Sequence, residues 1–262
     1  MSAIITSIYN CPVKSISFQN IEKCKINKNV GIEGDRVFAF SQNLDLDQSI
    51  EFETNPETRK GKWNKIVTLK NTPVFNKYNF LHEDNKLTLT LNNKEIITVN
   101  VNESNENDDL AKKLIELEGS LKNDIRLMRN DEYPFYDTSI SNKSMFKNSI
   151  SLLNINSIKD FENKINRKIE TSIFRGNLYF DGIEAWQERK WIDKTLKINN
   201  VSFKVEKNIP RCVAINLKPK SDDNSFNLLK ILNQTYNHFD MGIYLTPLED
   251  GEINLLDKIE IK

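Results

Sequence analysis

Apolar and polar residues alternate with a period of two along much of the chain, which is the spacing of half-buried β-strands. The alternating runs are short, and Asn, Gly or Pro residues that favour turns bound them. They predict strands at residues 3–9, 21–26, 35–40, 65–69, 149–154 and 171–182. So many short strands favour a β-barrel-rich fold over a parallel sheet of βαβ units.

Two predicted hairpins have clear turns, one at Asn92-Asn93 within residues 85–101 and one at Asn199-Asn200. Asn tolerates the left-handed backbone that a tight two-residue turn requires. Helices are predicted at 108–119, from residue 157 onward and at 226–236. In the first, we expect Asp108 or Asp109 to cap the helix and Leu110, Leu114 and Leu117 to share one face. The expected fold class is therefore α+β and β-rich, with few helices.

Charge and cysteine content narrow the classes of protein. The 262 residues include 37 Lys and Arg against 37 Asp and Glu, which argues against nucleic acid or an anionic membrane as a partner. The three cysteines show no CxxC pair and no metal-finger spacing, so a disulfide-stabilised secreted fold is not expected. The sequence shows no signal-peptide pattern and no apolar run of membrane length, so we expect a cytoplasmic protein.

Four short segments combine a basic residue with small or turn-forming neighbours. They are CPVKS with Lys14 and Ser15, GIEGDR with Arg36, FRGN with Arg175 and Asn177, and PRC with Arg211 and Cys212. Arg175 lies in an otherwise apolar run, and a buried charge needs a partner. Lys and Arg with Ser and Asn donors describe a site for phosphate or an anionic cofactor.

The sequence leaves two interpretations of the role of Cys212 open. A free cysteine is most often a small buried hydrophobe. A thiol beside Arg211 gains thiolate character, and thiolate is a ligand for soft metals. The other two cysteines, Cys11 and Cys24, lie in strand-like runs and are expected in the core.

The same segments resemble a known family. CPVKS…GIEGDRVFAF is similar to the N-terminal β-barrel region of proteins with a molybdenum-cofactor sulfurase C-terminal (MOSC) domain, and FRGNLYFDGIEAWQERKWIDKTLKI, PRCVAINL and FDMGIYLTPLEDGEI resemble the MOSC domain itself. Among such proteins, the chain looks like the bacterial relatives of the mitochondrial amidoxime-reducing component. The resemblance implies an N-terminal β-barrel-like domain at residues 1–120 and a MOSC β-barrel domain at 121–262.

The resemblance also implies a molybdenum cofactor, a molybdopterin whose metal one cysteine thiolate binds. Cys212 falls at the metal-ligand position. The positions that hold the pterin and its phosphate are Lys14, Ser15, Arg36, Arg175, Asn177 and Arg211, with Asn148 as a further candidate. The acidic residue that relatives place before the strand at 149–154 has no clear match, and Asp137 is a candidate by proximity.

The implied activity is reduction of N-hydroxylated or related oxygenated nitrogen compounds, that is, of a small-molecule substrate. A fused plant-type iron–sulfur domain would need four cysteines and the chain has three, so we expect electrons from a separate donor protein. Two alternatives remain open. The first is a molybdenum-cofactor carrier or sulfur-transfer protein with a persulfide on Cys212, and the second is a β-barrel binding module without activity.

Overall fold

The computed structural model describes residues 3–16, 18–119, 121, 125–136 and 149–261. These ranges contain sixteen strands and four α-helices, which confirms the predicted α+β, β-rich class. The strands are β1 (Ala3–Asn10), β2 (Gln19–Ile21), β3 (Lys23–Asn27), β4 (Gly31–Ile32), β5 (Phe38–Ser41), β6 (Tyr78–Glu83), β7 (Lys86–Leu91), β8 (Lys94–Asn100), β9 (Arg126–Arg129), β10 (Ile150–Asn154), β11 (Leu178–Asp181), β12 (Thr195–Ile198), β13 (Val201–Pro210), β14 (Asp240–Pro247), β15 (Gly251–Asn254) and β16 (Lys258–Ile261). The helices are α1 (Leu46–Thr54), α2 (Ser104–Leu117), α3 (Ile155–Ile165) and α4 (Leu228–Tyr236). Across the described ranges, no helix has the length and apolar character needed to cross a membrane.

Seven of the strands form a closed barrel. The order around it is β1, β11, β10, β14, β13, β12 and β16, and β16 pairs again with β1. Neighbouring strands are antiparallel except β10 and β11, which are parallel. Beyond its pairing with β16, β1 also pairs with the short strand β2. Closure removes the open sheet edges that an unclosed set of seven strands would expose.

The first strand faces the barrel interior through Ile5 and Ile8, both fully buried. In a regular strand, residues three apart point to opposite faces. A bulge between Ile5 and Ser7 shifts the pairing with β11, which returns Ile8 to the interior. This strand comes from the predicted 1–120 domain and pairs with strands of the predicted 121–262 domain. The division at residue 120 stays a prediction.

A second core lies beside the barrel, between the meander β6–β7–β8, strands β5 and β9, and helix α2. Leu110 and Leu114 of α2 are fully buried as predicted, whereas Leu117 is 36% exposed. The predicted Asp108 or Asp109 cap is wrong, because the helix already begins at Ser104. The carboxylate of Glu106 in this extra turn accepts the backbone N–H of Asn100 at 2.5 Å, which ties the helix start to the end of β8.

The two hairpin turns are confirmed. Asn92 and Asn93 have φ angles of 53° and 62°, and Asn199 has a φ of 53°. The strands that flank these turns pair as β7 with β8 and as β12 with β13. The local signal was sufficient here because Asn can adopt this backbone at low cost.

Two other predicted strands are wrong in whole or in part. Residues 65–69 form no strand and make one isolated bridge, between Ser41 and Ile66. In the predicted strand 171–182, Thr171–Phe174 is a 3₁₀ turn and only β11 is extended. The run after Cys212 is also a 3₁₀ turn, Val213–Asn216. Short apolar runs fit a strand or a buried turn equally well, so their periodicity does not decide between them.

The contact between β10 and β14 requires Gly242. Its φ is 82°, and a Cβ at this position would lie 2.7 Å from the backbone oxygen of Leu152. We expect Gly242→Ala to lower the free energy of unfolding by about 3 kcal/mol, because backbone strain and a clash with backbone would add. Chemical denaturation measures the loss.

Two other glycines serve as controls. Gly61 has a φ of 71°, and a Cβ added to it would meet nothing within 4 Å, so Gly61→Ala should cost only the strain, about 1 kcal/mol. Gly119 has neither a positive φ nor a close neighbour, and its replacement by Ala should change stability by less than about 0.5 kcal/mol. Equal losses for Gly242→Ala and Gly61→Ala would contradict the clash at β10.

Candidate functional site

A cavity of about 380 Å³ lies where the barrel meets the N-terminal segment. We call it the cysteine cavity. The fold brings to its lining six of the residues that the sequence singled out: Lys14, Ser15, Arg36, Arg175, Arg211 and Cys212. These residues come from the turns after β1 and β4, the turn before β11 and the end of β13. Their meeting in one cavity is a result of the tertiary fold, since they come from both halves of the chain.

A larger cavity, of about 440 Å³, lies along β9 and the start of α2. Its two arginines pair with acids: Arg126 with Glu53 at 2.5 Å and Arg129 with Asp131 at 2.7 Å. The lining also contains Asp108 and Glu132, so acidic residues outnumber the two arginines in this cavity. This cavity does not have the cationic, thiol-bearing chemistry that the sequence predicts.

Cys212 lies directly after β13, at the start of the 3₁₀ turn Val213–Asn216, and it is exposed. The other two cysteines are buried, as predicted for Cys11 and Cys24. Burial raises the pKa of Cys11 to about 11 and that of Cys24 to about 12, so both stay protonated thiols at neutral pH. Of the three thiols, only that of Cys212 combines exposure with a place in the cysteine cavity.

Arg211, the residue before Cys212, ties the end of β13 to two other segments of the chain. Its Nη1 donates to the carbonyl of Phe174 at 2.7 Å, and its Nε donates to the carbonyl of Met241 at 2.9 Å. Nη2 also donates to the Met241 carbonyl. Burial lowers the pKa of Arg211 from its ordinary value, but the group remains a cation at neutral pH. The acceptors of these bonds are neutral carbonyl oxygens, and none is a carboxylate of a described residue. The bonds therefore do not neutralise the positive charge of the guanidinium.

Arg175 ends the 3₁₀ turn Thr171–Phe174 with a left-handed backbone, at a φ of 49°. Ser15 and Arg36 have φ angles of 66° and 57°. This conformation is costly for residues other than glycine and is concentrated at functional sites. Three of the six predicted residues that line the cavity thus carry backbone strain, which the surrounding hydrogen bonds must maintain.

The surroundings of Arg175 in the cavity lower the pKa of its guanidinium. Burial is the main cause that lowers its pKa, and the nearby cation Arg36 lowers it further. Its guanidinium carbon lies 5.6 Å from the centroid of the Phe18 ring, a cation–π arrangement. The positive charges of Arg36 and Arg175 repel each other, and an anion bound near both would reduce this repulsion.

Asn177 lies in the wall of the cavity rather than in its lining. It is 1% exposed, and its Oδ1 accepts the hydroxyl of Ser151 at 2.9 Å. Its Nδ2 donates to Oδ1 of Asp35 at 3.3 Å, and Asp35 in turn pairs with Arg36. Asn177 therefore supports Arg36 through Asp35. Its predicted direct contact with a cofactor stays a prediction.

Two predicted residues, Asp137 and Asn148, lie outside the described residues. Next to that gap, the hydroxyl residues Ser149 and Ser151 line the cavity. The sequence analysis did not single them out, although their alternation in the predicted strand 149–154 was an available signal. Sequence reasoning also missed Lys70 and Tyr136 in the lining, because neither lies in a segment with a recognisable pattern.

The cysteine cavity is strongly cationic. Its lining includes Lys14, Arg36, Lys70, Arg175 and Arg211, and no described lining residue is Asp or Glu. The exposed thiol of Cys212 adds a soft ligand to this anion site. The donor set therefore fits a group that joins a soft metal to an anion, as a molybdopterin does with its metal and its phosphate.

Comparison with known proteins identifies one domain in the chain. Residues 137–260 match the sequence profile of the MOSC domain. No curated protein matches the chain. Among solved structures, the YUAD protein from Bacillus subtilis is similar over 100% of this chain and 96% of its own, at 10% identity and a TM-score of 0.44. YiiM from Geobacillus stearothermophilus is similar over 43% of this chain and 53% of its own, at 16% identity and a TM-score of 0.35.

YiiM from Escherichia coli is similar over the same shares, at 11% identity and a TM-score of 0.34. The region that matches the profile contains strands β10 to β15 and three of the six predicted residues that line the cysteine cavity, Arg175, Arg211 and Cys212. The chain therefore carries a MOSC domain at residues 137–260.

Proposed function

We propose that the cysteine cavity binds a molybdopterin-type molybdenum cofactor and that the protein reduces N-hydroxylated or related oxygenated nitrogen compounds. One observation carries the proposal: an exposed thiol and a cationic lining without a described carboxylate meet in the same cavity. The MOSC domain match supports the cofactor class. The resemblance to bacterial relatives of the amidoxime-reducing component suggests the reaction.

In this proposal the cations of the cavity hold the anionic part of the cofactor. Lys14, Arg36 and Arg175 offer charge-assisted hydrogen bonds, and Ser15 adds a hydroxyl donor. Asn177 acts through Asp35, which orients Arg36. The N–H groups of Arg211 donate to the carbonyls of Phe174 and Met241. In this proposal Arg211 therefore contributes positive charge and holds the segment of Cys212 in place, and it does not bind the cofactor with a bidentate pair of hydrogen bonds.

When bound, the cofactor supplies a molybdenum centre that can exchange two electrons and an oxygen atom with a substrate. The chain supplies the Cys212 thiolate as a ligand, and its exposure leaves room for a small molecule beside it. Val213, the next residue, is 46% exposed, so the surface beside Cys212 is accessible to solvent. We propose that a separate protein donates the electrons.

Cys212→Ser separates the metal-ligand role from cofactor retention. We expect reductase activity to fall at least about a hundredfold, because a hydroxyl is a poor substitute for a soft thiolate ligand. Pterin content should stay above about half of the wild-type value, since the cations of the cavity remain. The measurements are turnover of a panel of N-hydroxylated compounds with an artificial electron donor, and pterin and molybdenum per chain.

Cys24→Ala is the matched control for Cys212→Ser, because Cys24 is buried away from the cavity in the barrel core. It should keep both activity and cofactor content. Full activity in Cys212→Ser would contradict the proposal. So would the absence of both pterin and molybdenum from folded wild-type protein made in a host that synthesises the cofactor.

The exposure of Cys212 also suits the alternative of a transferable persulfide, which must reach its acceptor. Treatment with cyanide distinguishes the two roles, because cyanide removes a persulfide sulfur as thiocyanate. The carrier role predicts wild-type protein that holds cofactor, has no reductase activity, and releases about one thiocyanate per chain in a Cys212-dependent manner. The reductase role predicts turnover without that release.

Arg175→Gly and Arg175→Ala separate the charge of this residue from its backbone strain. Both variants lose the cation, so both should reduce pterin content about tenfold or more. Glycine adopts a φ of 49° freely whereas alanine does not, so Arg175→Gly should be more stable than Arg175→Ala by about 1 kcal/mol. Denaturant unfolding of cofactor-free protein measures the difference. Wild-type pterin content in both variants would remove Arg175 from the site.

A further inference from the structure

A second cavity, of about 270 Å³, adjoins the cysteine cavity. Both linings include Ile173, Arg175 and Ala214, so the two spaces meet at Arg175. The second cavity differs in chemistry from the first. Its lining contains the aromatic rings of Tyr9 and Phe18, the exposed carboxylate of Glu170 and, besides Arg175, the cation Lys220.

The aromatic wall of the second cavity is flat and held in place. The rings of Tyr9 and Phe18 are stacked, with centroids 4.2 Å apart and planes 15° from parallel. Behind them, the edge of the buried Tyr179 ring contacts Tyr9 at 5.6 Å. The Tyr179 hydroxyl is fixed in turn, since it donates to the Thr171 carbonyl at 3.0 Å. Such a preformed aromatic face favours stacking of a planar ring.

Glu170 places a negative charge beside this wall. Burial raises the pKa of the Tyr9 hydroxyl, and the nearby Glu170 carboxylate raises it further. Oε1 of Glu170 accepts the hydroxyl of Ser172 at 2.5 Å, and no cation among the described residues forms an ion pair with it. An ionised carboxylate has about four acceptor sites, so Glu170 can accept further N–H groups from a ligand.

We propose that the second cavity binds the planar heterocycle of the same cofactor, with Glu170 accepting N–H groups of its 2-amino-4-oxopyrimidine edge and Phe18 and Tyr9 forming the wall beside the ring. This inference rests on the proposed function. Arg175, at the junction of the two cavities, then lies between the ring and the anionic end of one ligand. A ligand with a flat, N–H-rich part and an anionic part matches the aromatic wall and the Glu170 carboxylate of the second cavity together with the cations of the first.

Two small pteridines test the role of Glu170 directly. Pterin has the 2-amino group, whereas lumazine has a carbonyl in its place and cannot donate there. Binding to cofactor-free protein is followed by quenching of pteridine fluorescence. We expect wild-type protein to prefer pterin over lumazine by about tenfold, because a hydrogen bond to a charged group is lost with lumazine. Glu170→Gln should remove the preference.

Glu184→Gln is the matched control, because Glu184 is exposed, lies in the same half of the chain and lines neither of the two cavities. It should keep the tenfold preference. Phe18→Leu should weaken pterin and lumazine equally, since it removes the stacking face and leaves the carboxylate. Thermal unfolding confirms that each variant is folded. Equal affinities for pterin and lumazine in wild-type protein, or an unchanged preference in Glu170→Gln, would overturn the proposal.

Cofactor-loaded protein shows which molecule the second cavity serves. If the cofactor's own ring lies there, loaded protein should bind added pterin at least about tenfold more weakly than cofactor-free protein. If loaded and cofactor-free protein bind pterin with the same affinity, and this binding depends on Glu170, the proposal is overturned and the cavity is assigned to a substrate ring. Failure of the proposed function has a different signature: protein from a cofactor-producing host contains neither molybdenum nor pterin, whatever the outcome for added pteridines.

Discussion

The first strand closes the barrel, since β1 pairs with β11 along one edge and with β16 along the other. At the end of this strand the backbone N–H of Tyr9 donates to the carbonyl of Asn177 at 2.7 Å, and the chain then turns toward Lys14. The same pairing therefore seals the core and places the N-terminal turns against the segments that carry Arg175 and Cys212. Without β1, the barrel would have open edges and the cysteine cavity would lose a wall.

The cavity concentrates positive charge, and the fold manages that charge without placing carboxylates among the described lining residues. Arg211 binds backbone carbonyls, Arg175 lies over the ring of Phe18, and Arg36 pairs with Asp35 in the wall behind it. Each arrangement lowers the cost of partial burial, but only the last one cancels a charge. The remaining positive charges line the cavity, where an anionic ligand would be stabilised.

Backbone strain and charge coincide in this region. Ser15, Arg36 and Arg175 are all left-handed, and hydrogen bonds of the backbone hold the turns in which they lie. For example, the N–H of Arg36 donates to the carbonyl of Cys11 at 2.7 Å. Strained turns of this kind persist only where the surrounding structure determines them. The stable barrel is what permits three such residues to surround one cavity.

By itself the sequence determined most of the local structure: the strand pattern, the Asn turns of two hairpins, and the residues whose chemistry suits an anion and a soft metal. It could not reveal that Arg175 ends a 3₁₀ turn, that Cys212 starts one, or that Asn177 lies behind the cavity. Only the tertiary structure decided these points and placed Glu170 beside a second cavity. The reason is physical. A left-handed backbone at a residue other than Gly or Asn, and a guanidinium–carbonyl bond between distant segments, depend on the folded surroundings. Neither feature produces a periodic pattern of apolar and polar residues in the sequence.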